Sequence, residues 1–337
     1  MQNFTNTRKP ISGIVFLLSL LLLAACVTSI RSHHKISEIR INDDFIIVTA
    51  TAEDTLSSLA AKYLKDPSKE WLISEFNHIN TLTPGQELII PLFSFNTGGL
   101  NPGGYQTVPV LSYYRLSKNK PSKTAITRDD FKAQMKYLKD NDYHVITLDQ
   151  LLGFIDYQEQ IPEKSVAITF DDGWISIYDI AFPILKEYGF PATIFIYTDF
   201  IGGGKAMSWK QINELSEAGF DIQCQTKTHR NLTALKKKES FREYFNSLEM
   251  EISYPKKLIK KKLNKDCNCL AYPYGKTNNL VIAMLKKHGF RAAFTVDDQP
   301  NPFFIDKYKI NRSVIYGKYD IEKFKNKLSV FQHMELK

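Results

Sequence analysis

A chain of 337 residues, 43% apolar and 24% charged, has enough sequence to bury one large core and a smaller one, which excludes a disordered or low-complexity protein. Its formal net charge of +8 is concentrated in short runs such as Lys236-Lys237-Lys238 and the stretch Lys256 to Lys265, which read as solvated helix faces. Because the amino terminus reads as a secretory leader, the charge implies at most an anionic envelope polymer or a membrane surface, and no nucleic acid.

The first element is a leader. Arg8 and Lys9 precede the apolar run Ile14 to Leu23, which closes in Leu23-Ala24-Ala25-Cys26. The run is too short to span a bilayer and ends in small residues before a cysteine, so residues 1–25 read as a secretory signal with a lipobox, and Cys26 as the lipid-carrying first residue of the mature protein. An ordinary signal peptide or a short anchor helix is the alternative. Val27 is not acidic, which by resemblance to Gram-negative lipoproteins favours the outer membrane, facing the periplasm. The expected location is the cell envelope, anchored by lipid. Of the cysteines that remain, Cys224, Cys267 and Cys269, an oxidising compartment permits one cross-link, for which Cys224 and Cys269 are candidates; free buried thiols are the alternative.

After a linker over 26–42, Phe45 to Ala50 reads as a strand. Asp54 or Thr55 caps a helix with apolar residues at helical spacing, a second helix lies around Trp71 to Phe76, and Leu82 to Pro91 supplies a turn and a closing strand. This strand, helix, helix, strand order, with Asp54-Thr-Leu-Ser-Ser-Leu-Ala60 and Pro84-Gly-Gln-Glu-Leu-Ile-Ile-Pro91 at its ends, resembles a βααβ LysM domain over residues 43–92. The resemblance implies binding of a glycan containing N-acetylglucosamine, with a groove near Asp54, Thr55, Leu56, Asn77 and Asn80.

Residues 93–107, rich in Gly, Pro and Asn, read as a second linker. From Val108 strand-like runs alternate with helical stretches, an α/β pattern that predicts a parallel sheet closed or nearly closed into a barrel, with reacting groups at the carboxyl ends of the strands. One such end reads Thr169-Phe170-Asp171-Asp172-Gly173. Adjacent acids there repel each other unless a cation or a proton holds one of them. An Asp-Asp-Gly turn that caps the next helix is the structural alternative.

Further motifs follow in order: Val108-Pro-Val-Leu-Ser-Tyr113, Ala167-Ile-Thr-Phe-Asp-Asp-Gly173, Phe190-Pro-Ala-Thr-Ile-Phe195, Thr226-Lys-Thr-His229 and Ala271-Tyr-Pro-Tyr-Gly275. Together they make residues 108–337 resemble the polysaccharide deacetylase (NodB homology) family. The resemblance implies a distorted (β/α) barrel that removes acetyl groups from N-acetylglucosamine residues of peptidoglycan or of an exported poly-N-acetylglucosamine, using a divalent cation, commonly Zn2+. It makes Asp171 the general base, Asp172 and His229 metal ligands, the Tyr274 backbone N–H an oxyanion donor, and Pro273 and Tyr274 substrate contacts. Trp209, at the head of a helix, is a candidate sugar-stacking residue.

Four positions depart from that pattern. Gln225 stands where the family has a metal-binding His, and its neutral amide oxygen is a weak third ligand for zinc. Tyr114 stands where relatives have a His, Ala271 replaces an Arg that orients the base, and the usual general-acid His is missing; His333 is too near the terminus to serve. Arg312, in Asn311-Arg312-Ser313, is a candidate for the missing Arg. A deacetylase-like barrel with weak or no turnover, serving as a glycan-binding envelope lipoprotein, is therefore the alternative to an active enzyme.

Overall fold

The computed structural model describes residues 38–40 and 42–334, and the chain divides into two compact units that meet between Phe93 and Ser94. The leader and Cys26 lie outside the described residues. Among those residues, no helix is long and apolar enough to cross a membrane.

The smaller unit is an antiparallel sheet in the order β1 (Glu38–Arg40), β2 (Phe45–Thr49), β3 (Glu87–Pro91), with helices at Leu56–Leu59 and Glu70–Asn77. Alternation along β2 turns Ile46 and Val48 inward, where they pack with Leu59, Ile73, Leu88 and Ile90. Residues 38–40, expected in a linker, instead pair with β2.

Most of the residues expected to line a glycan groove have a part in building this unit. Thr55 caps its helix reciprocally with Ser58, and Asp54 Oδ2 accepts the Thr51 N–H and hydroxyl, each at 2.8 Å. The Asn77 amide donates to the carbonyls of Ile73 and Ile89 and accepts the Ile89 N–H, which satisfies one edge of β3. Leu56 packs against the core and Asn80 is exposed.

The larger unit runs β4 (Leu100–Asn101), β5 (Gly104–Gln106), β6 (Val110–Tyr113), β7 (Arg115–Ser117), β8 (Ala125–Thr127), β9 (His144–Ile146), β10 (Ser165–Asp172), β11 (Thr193–Ile196), β12 (Asp221–Cys224), β13 (Cys269–Ala271), β14 (Ala292–Phe294), β15 (Ser313–Val314) and β16 (Phe331–His333). Its main sheet is parallel, in the order β14-β13-β12-β11-β10-β6-β15, with β9 also on β10. Ile310 bridges to Phe294 on one edge strand, and Ser313 and Val314 pair with Leu111 and Ser112 further on, so the segment 310–314 spans the gap between the sheet's two ends. This is the curled barrel that the alternation of strands and helices predicts.

Because both faces of the sheet are covered, its strands are nearly all buried. Val166, Ile168 and Phe170 point outward into the cluster formed with the helices, whereas Ala167 joins the interior cluster with Val110, Phe195 and Phe294. Thr169 and Asp171, at the same parity as Ala167, therefore face the interior.

One expectation is corrected. Residues 100–106, assigned to a linker, form the hairpin β4–β5, which is completed by β16; the Gly and Pro there serve a tight turn. His333 accordingly belongs to a strand, with its ring against Phe331. Of the two readings of the cysteines the second holds: Cys224, Cys267 and Cys269 are free buried thiols. Cys267, not Cys269, lies against Cys224, and burial pushes its thiol well above the ordinary range.

Candidate active site

Successive residues of a strand point to opposite faces, so Asp171 and Asp172 could not share a site if β10 ran on unchanged. The backbone solves this at Asp172, whose φ of +74° leaves the extended region and turns its side chain back toward the barrel mouth. Thr226, His229 and Tyr274 also have positive φ, at +92°, +61° and +60°. For residues other than Gly such conformations cost about 1–3 kcal/mol each and gather where the surroundings enforce them.

Asp171 is 1% exposed and Arg312 is fully buried. The Arg312 guanidinium meets the carboxylate end-on, with Nη1 2.6 Å from Oδ1 and Nη2 3.0 Å from Oδ2, and its Nε donates to the Thr295 carbonyl. Ser112 Oγ donates to Asp171 Oδ2 at 3.3 Å. A bidentate pair of this kind fixes the orientation of a carboxylate as well as its charge. Arg312 thus takes the place left open by Ala271, and it comes from the segment that joins the two ends of the sheet.

Asp172 is held differently. The Trp174 indole Nε1–H donates to Oδ2 at 2.9 Å, and the Asp172 backbone N–H donates to Gln225 Oε1 at 3.0 Å. Oδ1 is buried without a hydrogen-bond partner and lies 3.5 Å from His229 Nε2. Burial, and after it the charge of Asp171, push the Asp172 carboxyl above the usual range; the Trp174 bond and His229 pull the other way.

An orphaned carboxylate oxygen facing an imidazole nitrogen is a donor pair that fits a divalent cation such as Zn2+. Gln225, expected as the third ligand, has its oxygen on the Asp172 N–H instead. Among the described residues, no group of three or more His, Cys, Asp and Glu side chains could hold a metal ion.

The loop that carries His229 is anchored from behind. Glu251, buried on the long helix Phe241–Leu263, accepts the N–H groups of Lys227 and Thr228 at 3.0 and 2.8 Å and the Thr228 hydroxyl at 2.6 Å. The His229 N–H donates to Thr226 Oγ1. The backbone of this strained loop is therefore satisfied by a side chain 23 to 24 residues away in sequence.

Rings form an arc around this point. Trp174 packs edge-on against Phe200 with centroids 4.8 Å apart, Phe200 stacks on Tyr197, and Tyr197 and Tyr274 lie 5.1 and 4.9 Å from the His229 ring. Tyr274 is 60% exposed, and Pro273 is buried in the same turn. The Tyr274 N–H belongs to the first turn of a one-turn helix, where no acceptor exists within the turn.

Trp209, the sequence's candidate for sugar stacking, is not part of the arc: it packs against the main core, with Lys262 Nζ 5.9 Å from its ring. Trp174 is the indole at this site. Its signal in the sequence was adjacency, since it follows the Asp-Asp-Gly directly. Tyr114, two residues beyond Ser112 and hence on the same face, has its phenol pushed up to about 12 by burial, with the charges of Asp171 and Asp172 adding to the effect. It stays protonated at neutral pH and is a neutral donor beside the acid pair.

The raised carboxyl of Asp172 has a measurable sign. A group that holds its proton more tightly in the folded than in the unfolded state adds stability at low pH and loses it as pH rises through the folded value, so without a cation ionised Asp172 opposes folding at pH 7. Asp172→Asn is expected to raise the melting temperature of the cation-free protein at pH 7, by about 2–4 °C per kcal/mol relieved, with the gain shrinking toward the carboxylate range. Added zinc should then stabilise the wild type and not the variant. A scanning-calorimetry series over pH checks this; a cation-free variant less stable than wild type at pH 7 contradicts it.

Comparison with known proteins agrees with this geometry. A family model described as polysaccharide deacetylase matches residues 158–293, and one described as LysM domain matches residues 48–91. The chain is 34% identical over 230 residues to the poly-β-1,6-N-acetyl-D-glucosamine N-deacetylase of Staphylococcus epidermidis, a match that covers 61% of this chain and 78% of that protein. Among solved structures, IcaB from Ammonifex degensii aligns with a TM-score of 0.57 at 26% identity, covering 63% of this chain and 93% of that one. The Streptococcus pyogenes deacetylase PplD, solved with acetate, aligns with a TM-score of 0.60 at 23% identity over 66% of this chain and 98% of that one, a likeness of fold. With its Asp171-Asp172 strand end, its ordered motifs and these relatives, the chain carries a LysM domain and belongs to the polysaccharide deacetylase family of hydrolases.

Proposed function

We propose that the protein is a metal-dependent N-deacetylase that removes acetyl groups from N-acetylglucosamine residues of an exported glycan, a β-1,6-linked poly-N-acetylglucosamine before peptidoglycan. The choice of glycan follows the named activity of the staphylococcal relative. The observation that carries the reading is the unpartnered Asp172 Oδ1 facing His229 Nε2, next to an Asp171 clamped by Arg312. The LysM unit supplies a second hold on the glycan, and the Leu23-Ala24-Ala25-Cys26 sequence supports attachment to the envelope membrane through lipid.

Asp172 and His229 would hold a divalent cation, which would supply Lewis acidity for lowering the pKa of a water molecule and polarising the acetyl carbonyl. Asp171, held rigidly at the barrel mouth, accepts the proton of the attacking water, and as the C–N bond breaks that proton returns, directly or through solvent water, to the leaving amine. The Tyr274 N–H donates to the oxyanion as the carbonyl carbon becomes tetrahedral. Tyr114 donates a hydrogen bond on the side of Asp171, and the ring of Tyr274 orients the sugar.

Acetate release from β-1,6-linked N-acetylglucosamine oligomers and from peptidoglycan fragments tests this. Release is expected from the oligomers, abolished by a chelator and restored by zinc. A protein that is retained on the glycan yet frees no acetate with any added divalent metal would instead be a binding lipoprotein, the reading that Gln225 favours.

A further inference from the structure

We propose that Trp174 and Gln225 are positioning residues that together present one oxygen of Asp172, Oδ1, to the cation, and that Gln225 does so instead of acting as a ligand. This rests on the metal-dependent reading above and adds residues to it.

The backbone and side chain of Asp172 are each held by one hydrogen bond. At φ +74° the residue is the last position of the β10 ladder, opposite Ile196, and its N–H finds Gln225 Oε1 at 3.0 Å. Gln225 is 2% exposed and rooted by its own N–H on the Ile196 carbonyl at 2.8 Å. A backbone N–H needs an acceptor, so the oxygen of the amide, not its nitrogen, faces Asp172. A side chain thereby stabilises the left-handed turn that brings Asp172 round beside Asp171.

The second bond selects the oxygen. Trp174 Nε1–H occupies Oδ2, and its indole has little freedom to swing away. Phe200 packs edge-on against the ring, the Arg115 guanidinium carbon lies 5.3 Å from its centroid, and the backbone on either side is tied down by Ile175 N–H to the Lys205 carbonyl and Met207 N–H to the Gly173 carbonyl, both 2.9 Å. Oδ2 taken and Oδ1 bare, 3.5 Å from His229 Nε2, is the arrangement of a carboxylate set to bind through a single oxygen. Partners that orient a ligand in this way typically change metal affinity about 10–100-fold when removed.

The test uses the full chain in detergent, with zinc titrated by calorimetry and Co2+ as a visible-absorption probe of coordination. Trp174→Phe keeps a ring against Phe200 and removes the donor. It is expected to weaken zinc binding about 10–100-fold and to lower the Co2+ absorption, because the freed Oδ2 adds a donor. Gln225→Glu keeps an acceptor for the Asp172 N–H and is expected to retain the wild-type Co2+ spectrum. A shifted spectrum in that variant, with zinc bound at least about tenfold tighter, would make residue 225 a ligand and overturn its positioning role. Unchanged zinc affinity and Co2+ spectrum in Trp174→Phe, with wild type binding normally, overturns the role of Trp174 alone. A wild-type chain that binds neither ion overturns the metal-dependent reading and this proposal together.

Discussion

Asp171→Asn is expected to lower kcat for acetate release by about 10²–10⁴-fold, the usual worth of a positioned base. The same change removes the counter-charge of Arg312, which has no exposed surface. Breaking a buried pair from one side costs about 3–5 kcal/mol, so lost turnover could be mistaken for lost folding. The double variant Asp171→Asn/Arg312→Met separates the two effects. It removes both charges and should recover most of the unfolding free energy while turnover stays low, which urea unfolding and acetate kinetics on the same preparations would show. Turnover in Asp171→Asn within about tenfold of wild type would deny Asp171 the role of base.

Arg312→Met alone should be the more damaging of the single changes to the fold. It strands Asp171 as a carboxylate at 1% exposure, removes the donor to the Thr295 carbonyl, and loses the bidentate hold on both carboxylate oxygens. A destabilisation of about 3–5 kcal/mol is expected. Zinc affinity in the fraction that remains folded should change far less, since Asp172 and His229 make no hydrogen bond to Arg312. An unchanged urea midpoint would show that the pair does not contribute to the fold.

How much of the site could be read from the sequence follows from the reach of each contact. The buried run ending in two acids, the strand-and-helix alternation and the spacing of Thr226 to His229 are local patterns; the alternation gives the curled sheet, and the sheet brings Asp172 and His229 within 3.5 Å of each other. The partner of Asp171 follows no local pattern: Arg312 is a candidate only through the Arg that the resemblance leaves missing at Ala271, because it lies 141 residues further on and meets Asp171 only when the sheet curls. The bond of Gln225 to the Asp172 backbone likewise spans 53 residues. Trp174 is only two residues from Asp172, yet its use depends on the left-handed turn between strand and loop, which no periodicity reveals. The stretch 93–107 misled for a different reason, since Gly, Pro and Asn suit a flexible tether and a tight hairpin equally well. Trp209 heads a helix, a position that suits a sugar-stacking ring or a packing one, and it packs against the core.

The closing segment 310–314 also has a consequence for how the molecule comes into being. Until Ile310 reaches Phe294 and Ser313 reaches Leu111, the strand bearing Asp171 has no cation to neutralise its acid. A nascent chain that lacks the segment therefore carries an uncompensated charge in its would-be interior, which disfavours a collapsed barrel. Long-range closures of this kind come late, after the cost of joining distant parts of the chain has been met. The residue that clamps Asp171 thus arrives on the very segment that closes the barrel, so the charge of Asp171 and the closure of the sheet are settled together.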